Sequence, residues 1–584
     1  MADSLLLKVS TFTTRQKLLK PHPSSLYPIP MNTLTILETT LREGVLMEDI
    51  NVTVPDKLRI AKLIDSLGVT YLEGGWPQVF EKDLEFFQEV RNLDLKAKLT
   101  VFGATRRPGT QAARDRNLKA MLETHAPVCH IYGKVWTLHV IKVLQTTLEE
   151  NLNMLRDSLE LLKSEGKEVI YTAEHFFDGF RTNREYALEN VKVALEGGAD
   201  ILTLGDSNGA SLPGLVREGV LAVKDLVGEH PIGLHLHDDL GLAMANTLAG
   251  LEAGASHIQA TVNGYGARTG ITDLTALLPI LKLKMGLDVV SDEQLARLTE
   301  VATKIAEIVG LGGEMDYRPV VGRKVFAHKT QTHVSAVLSD PEAYEPIDPA
   351  RVGNQRRLVI PGLMSARTTY FREVARKYGV DLNEDSAANS RILEVLRSLE
   401  DQGYSFEDAE ASLELRLGQL TGRFARVLDT ERLRLFEVIR GRTQSVVEAS
   451  LKVRVSGGEV EYVAAEGTGP VDTLYQVILE ALKVQPDPSY FEYMKGAKIN
   501  AFRVRTLNRL TGDTEISSRL RVRVALGFSD GLREWTTIGI DEDIIKASWT
   551  ALVDGVEYGL LTQAGRESGI GIGERPSPGG GQAR

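Results

Sequence analysis

Pro231-Ile-Gly-Leu-His-Leu-His-Asp-Asp-Leu-Gly-Leu-Ala-Met-Ala-Asn246 is the stretch on which the reading of the fold turns. An apolar run leads into two histidines one residue apart, polar residues follow, and a helical pattern then begins. Side chains at i and i+2 of a strand share a face, so His235 and His237 aim their imidazoles into one space. If a carboxylate from another strand joins them, that space suits a divalent metal. By themselves the two are as readily a hydrogen-bonded core pair, since imidazole satisfies itself inside proteins.

Outward from 232–237, the same unit recurs. Further apolar runs stand at 34–40, 69–75, 98–104, 128–134, 168–174, 200–206 and 257–263. Helical patterns lie at 55–67, 80–93, 114–125, 148–165, 183–197, 212–227, 243–253 and 273–285. The first opens near Pro55 and stops at Gly68, a fitting start and stop for a helix. Eight strand–helix units over about 250 residues predict an α/β fold, a (β/α)8 TIM barrel rather than an open sheet. No Gly-x-Gly-x-x-Gly follows the first strand, so a dinucleotide site is not indicated.

Barrel active sites lie at the C-terminal ends of the strands. The polar residues there are Thr39, Arg42 and Glu43 after the first strand, Glu73 in the second, and Arg106 and Arg107 after the third. Glu174 and His175 end the fifth, and Asp206, Ser207 and Asn208 the sixth. His235, His237, Asp238 and Asp239 close the seventh, while Asn263 and Arg268 follow the eighth. Helix capping would explain Asp206 and Ser207, but it explains the whole ring badly.

The composition bounds the rest. At 584 residues, 43% hydrophobic and 25% charged, the chain reads as a soluble protein of two to four domains. A net charge of −11 argues against a nucleic-acid-binding surface, and no apolar run is long enough for a membrane. A single cysteine, Cys129, rules out an intramolecular disulfide framework and suits a reducing compartment, the cytoplasm by default. Residues 1–30 carry four basic residues against Asp3 and end in Pro28-Ile-Pro30; they read as a disordered arm rather than a transit peptide, with Met31 as a second start.

Residues 31–290 are expected to form the barrel and 291–445 helical linker subdomains, with helices at 291–310 and about 389–440. The alternating Glu-Leu and Arg-Leu pattern near 413–437 reads as a solvated helical face. His328, His333, Tyr344, Arg356, Arg357 and Arg367 lie between those helices. Residues 446–563 show strand alternation in Ser450–Val455 and Arg519–Ala525 beside helices at 470–483 and 543–561, an α+β module. The tail, 564–584, with Pro576-Ser-Pro-Gly-Gly-Gly-Gln, reads as disordered.

Several motifs together resemble one family. Glu38-Thr-Thr-Leu-Arg-Glu-Gly44, Leu72-Glu-Gly-Gly-Trp-Pro77 and Phe102-Gly-Ala-Thr-Arg-Arg107 resemble the α-isopropylmalate, homocitrate and citramalate synthase superfamily. So do Ala173-Glu-His-Phe-Phe-Asp-Gly179, His235-Leu-His237 and Val262-Asn-Gly-Tyr-Gly266, and the second and fourth motifs look most like citramalate synthases. Ala465-Glu-Gly-Thr-Gly-Pro-Val-Asp472 and Trp535-Thr-Thr-Ile-Gly539 resemble the regulatory domain of the same enzymes.

The resemblance implies an acyltransferase that condenses acetyl-CoA with an α-keto acid and then hydrolyses the thioester. It implies a divalent metal (Mg, Mn, Zn or Co) on Glu43, His235 and His237, with Arg42 on the oxyanion and substrate and Ser207 on the keto acid's carboxylate. Glu174 is implied as an acid/base group, and His333 and Tyr344 as a second catalytic pair that reaches a partner subunit, hence a homodimer or higher. Citramalate formation from pyruvate for isoleucine synthesis is the first reading, with a branched-chain amino acid as effector. An isopropylmalate or homocitrate type of synthase, a retro-aldol lyase and a non-catalytic paralogue are the alternatives. The chain departs from the family at Glu43, where citramalate synthases more often carry Asp, at Val45-Leu46, Asp238, Ala267 and Ile271, and at Thr330-Gln-Thr332.

Overall fold

The computed structural model describes residues 34–358, 376, 387–440, 444–486, 488–507 and 521–567. The expected arm at 1–30, Arg367, and the tail beyond Glu567 lie outside the described residues. The chain divides into two compact units, one of residues up to 326 with 346–356, the other of 327–345 with 357 onwards.

In the first unit eight parallel strands close a barrel in sequence order: β1 Thr35–Glu38, β2 Tyr71–Gly75, β3 Lys98–Ala104, β4 Val128–Lys134, β5 Glu168–Glu174, β6 Ile201–Asp206, β7 Ile232–Leu236 and β8 His257–Ala260. The barrel expected from the repeating units is borne out, and each strand falls within a predicted run. Helices α1 Val54–Asp65, α2 Glu81–Glu89, α3 Arg116–Glu123, α4 Thr137–Lys142, α5 Leu148–Ser164, α6 Phe176–Thr182, α7 Arg184–Glu196, α8 Pro213–Val227, α9 Ala243–Ala253 and α10 Leu274–Pro279 complete the units. The sequence reading missed α4 and α6, which stand at the C-terminal ends of β4 and β5; both are too short to show a helical period.

Local chemistry sets these boundaries. Thr53 and Asp56 form a capping box at α1, and Gly68 ends the turn beyond it at a φ of +78°, where a Cβ would also strike Gln294. Asp115, Thr147, Asn183 and Asp273 cap α3, α5, α7 and α10 with their side chains. Lys57, fully buried on α1, reaches Asp83 of α2 at 2.5 Å and donates to the Gly74 carbonyl at 2.8 Å. Asp83 also accepts from Trp76 N at 2.7 Å, so this pair shapes the end of β2, where the register slips between Glu73 and Gly75. Removing one partner of such a pair costs about 3–5 kcal/mol.

Two further helices, α11 Asp292–Leu295 and α12 Leu298–Ile308, replace the single helix expected at 291–310. The second unit opens with β9 Ala327–His328 and α13 Gln331–Ser339, and β10 Arg357–Leu358 pairs in parallel with β9. Helices α14 Ala387–Asp401 and α15 Glu410–Leu420 follow. Here one expectation is corrected. The helical face read at 413–437 stops at Leu420, and Leu428–Arg440 is a strand, β11, antiparallel to β12 Gln444–Val455. Leu433 and Leu435 pack on the core while Arg434 and Phe436 face outward, which is a period of 2. The hairpin spans residue 446, so the boundary expected there falls inside one structural element.

β13 Val460–Gly467 completes the first three-stranded sheet, and β14 Lys498–Leu507, β15 Arg521–Ser529 and β16 Glu534–Asp541 form a second. Helices α16 Pro470–Lys483, α17 Ser489–Gly496 and α18 Ile544–Glu567 share a core with them; α18 runs past the residue where the tail was expected to begin.

Candidate active site

The turn after β1 carries the first two groups. Three successive backbone N–H groups, of Arg42, Glu43 and Gly44, donate to the Thr39 carbonyl and wind the chain over the end of β1. Arg42 is thereby buried at 8% exposure and Glu43 at 3%. The Arg42 guanidinium donates from Nε to Glu73 Oε2 at 2.6 Å, pairs through Nη1 with Glu43, and lies 3.9 Å above the Phe102 ring. Burial works against its charge, but the Glu73 and Glu43 carboxylates outweigh burial and hold its pKa above the ordinary value. Burial would raise the Glu43 carboxyl, but the Arg42 charge together with His235, His237 and the Ala267 N–H outweighs it and holds Glu43 below the ordinary value.

β7 brings His235 and His237 to the same place, their ring centroids 5.3 Å apart. Glu43 Oε1 stands 3.9 Å from His237 Nε2, and one ligand atom from each of Glu43, His235 and His237 can be chosen with all three within 4.8 Å of one another. Burial pushes His235 down to about 3 and lowers His237 as well, so both imidazoles are neutral with lone pairs available. His237 Nδ1 is buried without a hydrogen-bond partner among the described residues. One carboxylate and two neutral imidazoles with an orphaned nitrogen fit a divalent cation, so these residues can hold a metal.

Behind them lies a polar network that the sequence reading did not assign. Glu73 Oε1 meets His130 Nδ1 at 2.5 Å, and Thr39 donates to Glu73 Oε2 at 2.5 Å. Gln259 Oε1 lies 2.8 Å from His235 Nδ1. His130 and Gln259 were visible in the sequence as polar residues within otherwise apolar strand runs.

Across the mouth, Glu174 ends β5 in register with Lys134 of β4, and the two form an ion pair. His175 follows in the left-handed region at φ 56°, and its N–H donates to Ser207 Oγ at 2.9 Å. Its Nδ1 is 2.8 Å from Asp178, and its ring centroid is 4.4 Å from that of His139, whose Nδ1 is also unpartnered among the described residues. Arg268 binds Asp239 at 2.6 and 2.8 Å and the Ser207 carbonyl at 2.9 Å, tying three rim loops together.

Three departures from the family acquire structural reasons. Asp238 accepts from Ala243 N at 2.8 Å and so caps α9. Ile271 is buried and bridges His237, and Ala267 N donates to Glu43 Oε1 at 3.1 Å, a contact that depends on the backbone alone. Arg106 turns away to Glu150 and Asp157, and Asn263 donates to the Ala302 carbonyl, so both belong to the barrel wall. His333 and Tyr344 belong to the second unit, where their ring centroids are 4.1 Å apart and Tyr344 is 42% exposed.

Comparison with known proteins gives the class and then the family. Residues 33–305 match the HMGL-like family model, 320–404 a homocitrate synthase post-HMGL domain-like model, and 413–560 the LeuA allosteric (dimerisation) domain. A barrel with a Glu-His-His cluster followed by those two modules defines an acyltransferase that condenses acetyl-CoA, with an oligomer expected from the dimerisation domain. The chain is 38% identical to the (R)-citramalate synthase of Aquifex aeolicus over 92% of this chain and 99% of that protein. It is 39% identical to the (R)-citramalate synthase of Streptomyces coelicolor, covering 90% and 96%. To the 2-isopropylmalate synthase of Methanocaldococcus jannaschii it is 28% identical, covering 89% and 93%. The chain belongs to the citramalate synthase family.

Proposed function

We propose that this protein joins acetyl-CoA to pyruvate and hydrolyses the thioester, giving citramalate and CoA. The observation that carries the reading is the buried Arg42–Glu43–His235–His237 constellation at the mouth of the barrel. The higher identity to citramalate synthases than to the 2-isopropylmalate synthase favours pyruvate over a branched keto acid.

In this reaction a proton leaves the acetyl methyl, a C–C bond forms at the keto carbon, charge develops on its oxygen, and water then cleaves the thioester. A divalent cation (Mg, Mn, Zn or Co) held by Glu43, His235 and His237 would supply Lewis-acid chemistry to the keto acid. Arg42 stabilises the developing oxygen charge, its guanidinium already fixed by Glu73 and the Phe102 face, so little reorganisation is needed. Ser207 Oγ accepts from His175 N, which leaves its own proton free to donate to the substrate carboxylate. Glu174 exchanges a proton at the reacting centre, with Lys134 beside it as counter-charge. His333 and Tyr344 act as a second acid/base pair on the barrel of a partner subunit, which makes the dimer the functional unit.

Supply of citramalate to isoleucine synthesis in the cytoplasm, with feedback by a branched-chain amino acid on the C-terminal domain, completes the reading. The test is CoA release from acetyl-CoA with a panel of α-keto acids and divalent metals. Release with pyruvate is expected. No release with any keto acid, in folded and metal-loaded protein, would overturn the synthase reading; release with 2-oxoisovalerate but not pyruvate would overturn only the choice of substrate.

A further inference from the structure

We propose that Gln259 is a positioning residue for the metal site, fixing His235 as the Nδ1–H tautomer so that its Nε2 lone pair is presented to the cation. The inference rests on the reading of Glu43, His235 and His237 as metal ligands.

Gln259 is fully buried on β8, directly beside His235 in the β7–β8 register. Its two amide ends face different chemistry. The Nε2 end lies 3.4 Å from each of His130 Nε2, Thr172 Oγ1 and Thr203 Oγ1, all groups able to accept. The Oε1 end lies 2.8 Å from His235 Nδ1. An amide oxygen can only accept, so the shared hydrogen belongs to His235 Nδ1.

The orientation of the amide is set one step further back. His130 Nδ1 is 2.5 Å from Glu73 Oε1, a carboxylate that also accepts from Arg42 Nε at 2.6 Å. His130 therefore donates from Nδ1, and its Nε2, 2.7 Å from Thr172 Oγ1, is the accepting side that meets the Gln259 amide nitrogen. A turned amide would set its oxygen against the accepting Nε2 of His130 and lose that contact, so the amide keeps its nitrogen toward His130 and its oxygen toward His235. Arg42, Glu73, His130, Gln259 and His235 thus form one hydrogen-bonded series across β2, β4, β8 and β7 beneath the site. Gln259 lies below the ligands and touches the cation only through His235.

Outer partners of metal-bound histidines typically govern affinity by about 10–100-fold. In the chelator-treated full-length protein, titrated with Mn²⁺, Gln259→Leu is expected to weaken binding by about that factor. Gln259→Glu keeps an acceptor against Nδ1 and is expected to restore affinity to within about threefold of the unsubstituted protein. Nitrogen-15 spectra of the histidines in the unsubstituted protein, with His235 assigned by its loss in His235→Gln, should show Nδ1–H. That spectrum decides the proposal even if Gln259→Leu does not fold. Wild-type Mn²⁺ affinity in folded Gln259→Leu, or an Nε2–H tautomer at His235, would overturn the role of Gln259. Failure of the unsubstituted protein to bind Mn²⁺ would overturn the metal-site reading itself.

Discussion

The two sets of candidate catalytic groups are held in opposite ways. At the barrel mouth Arg42, Glu43, His235 and His237 are at most 8% exposed, and Arg42 and His235 are tied to a network that crosses the barrel. In the second unit Tyr344 is 42% exposed, and His333 meets it through one ring contact. The first arrangement is built to keep charges and lone pairs fixed in a dry place, where electrostatic interactions are strong. The second leaves Tyr344 exposed and His333 half-buried, which suits the proposed role of the pair on a substrate held elsewhere. Substitutions at Glu43, His235 and His237 should therefore disturb metal binding and turnover together, whereas those at His333 and Tyr344 should disturb turnover alone.

The sharpest challenge to that contrast is His237→Ala, which should lose bound metal and lower CoA release by about a thousandfold or more, the scale of several kcal/mol of lost charge stabilisation. Metal content and turnover are measured on the same sample, and normal turnover would break the assignment. Arg42→Lys comes next. Lysine cannot reproduce the fork between Glu73 and Glu43, so kcat should fall by about 100-fold, as for the loss of one oxyanion donor. Metal content should stay within the error of the wild-type value.

His333→Ala tests the other side. Turnover should fall by about 100-fold, at the low end for acid–base groups, with metal content unchanged and the melting temperature within about 2 °C. A loss of metal in this variant would erase the distinction between the two regions.

Most of the barrel was legible in the sequence for a physical reason. Each strand is a short apolar run between turn signals, and capping residues such as Thr53 and Asp56 mark where the helices begin. The candidate groups of the barrel were legible because they sit at the C-terminal ends of those strands or just after them, in motifs that stay in register. Lys134, His130 and Gln259 were not, since their importance lies in partners on other strands and no local spacing reveals a cross-barrel contact. Residues 428–437 differ from the helix expected there because charged and apolar residues alternate in a way also read as a solvated helical face; the strand expected at Ser450–Val455 is found, and pairing with it as part of β12 makes Leu428–Arg440 a strand.

The smallest expected effect concerns stability. Glu38 is fully buried, and burial raises its carboxyl to about 7 against an ordinary 4.5, with Thr40 and the Val262 N–H only partly offsetting this. The folded state therefore holds one more proton than the unfolded state between those values. Stability from this group is full below pH 4.5 and declines as pH rises towards 7, by up to on the order of 3 kcal/mol. Glu38→Gln should flatten that part of the stability–pH curve, measured by denaturant unfolding from pH 4.5 to 8; an unchanged slope would contradict the buried-carboxyl reading.

The central claim, a metal-dependent citramalate-forming site, is tested most directly by CoA release from acetyl-CoA and pyruvate before chelation, after it, and after a divalent cation is restored. Release should stop on chelation and return with the cation, running about tenfold or more faster with pyruvate than with 2-oxoisovalerate. Undiminished release after complete removal of metal, or a preference for the branched keto acid, would contradict the account.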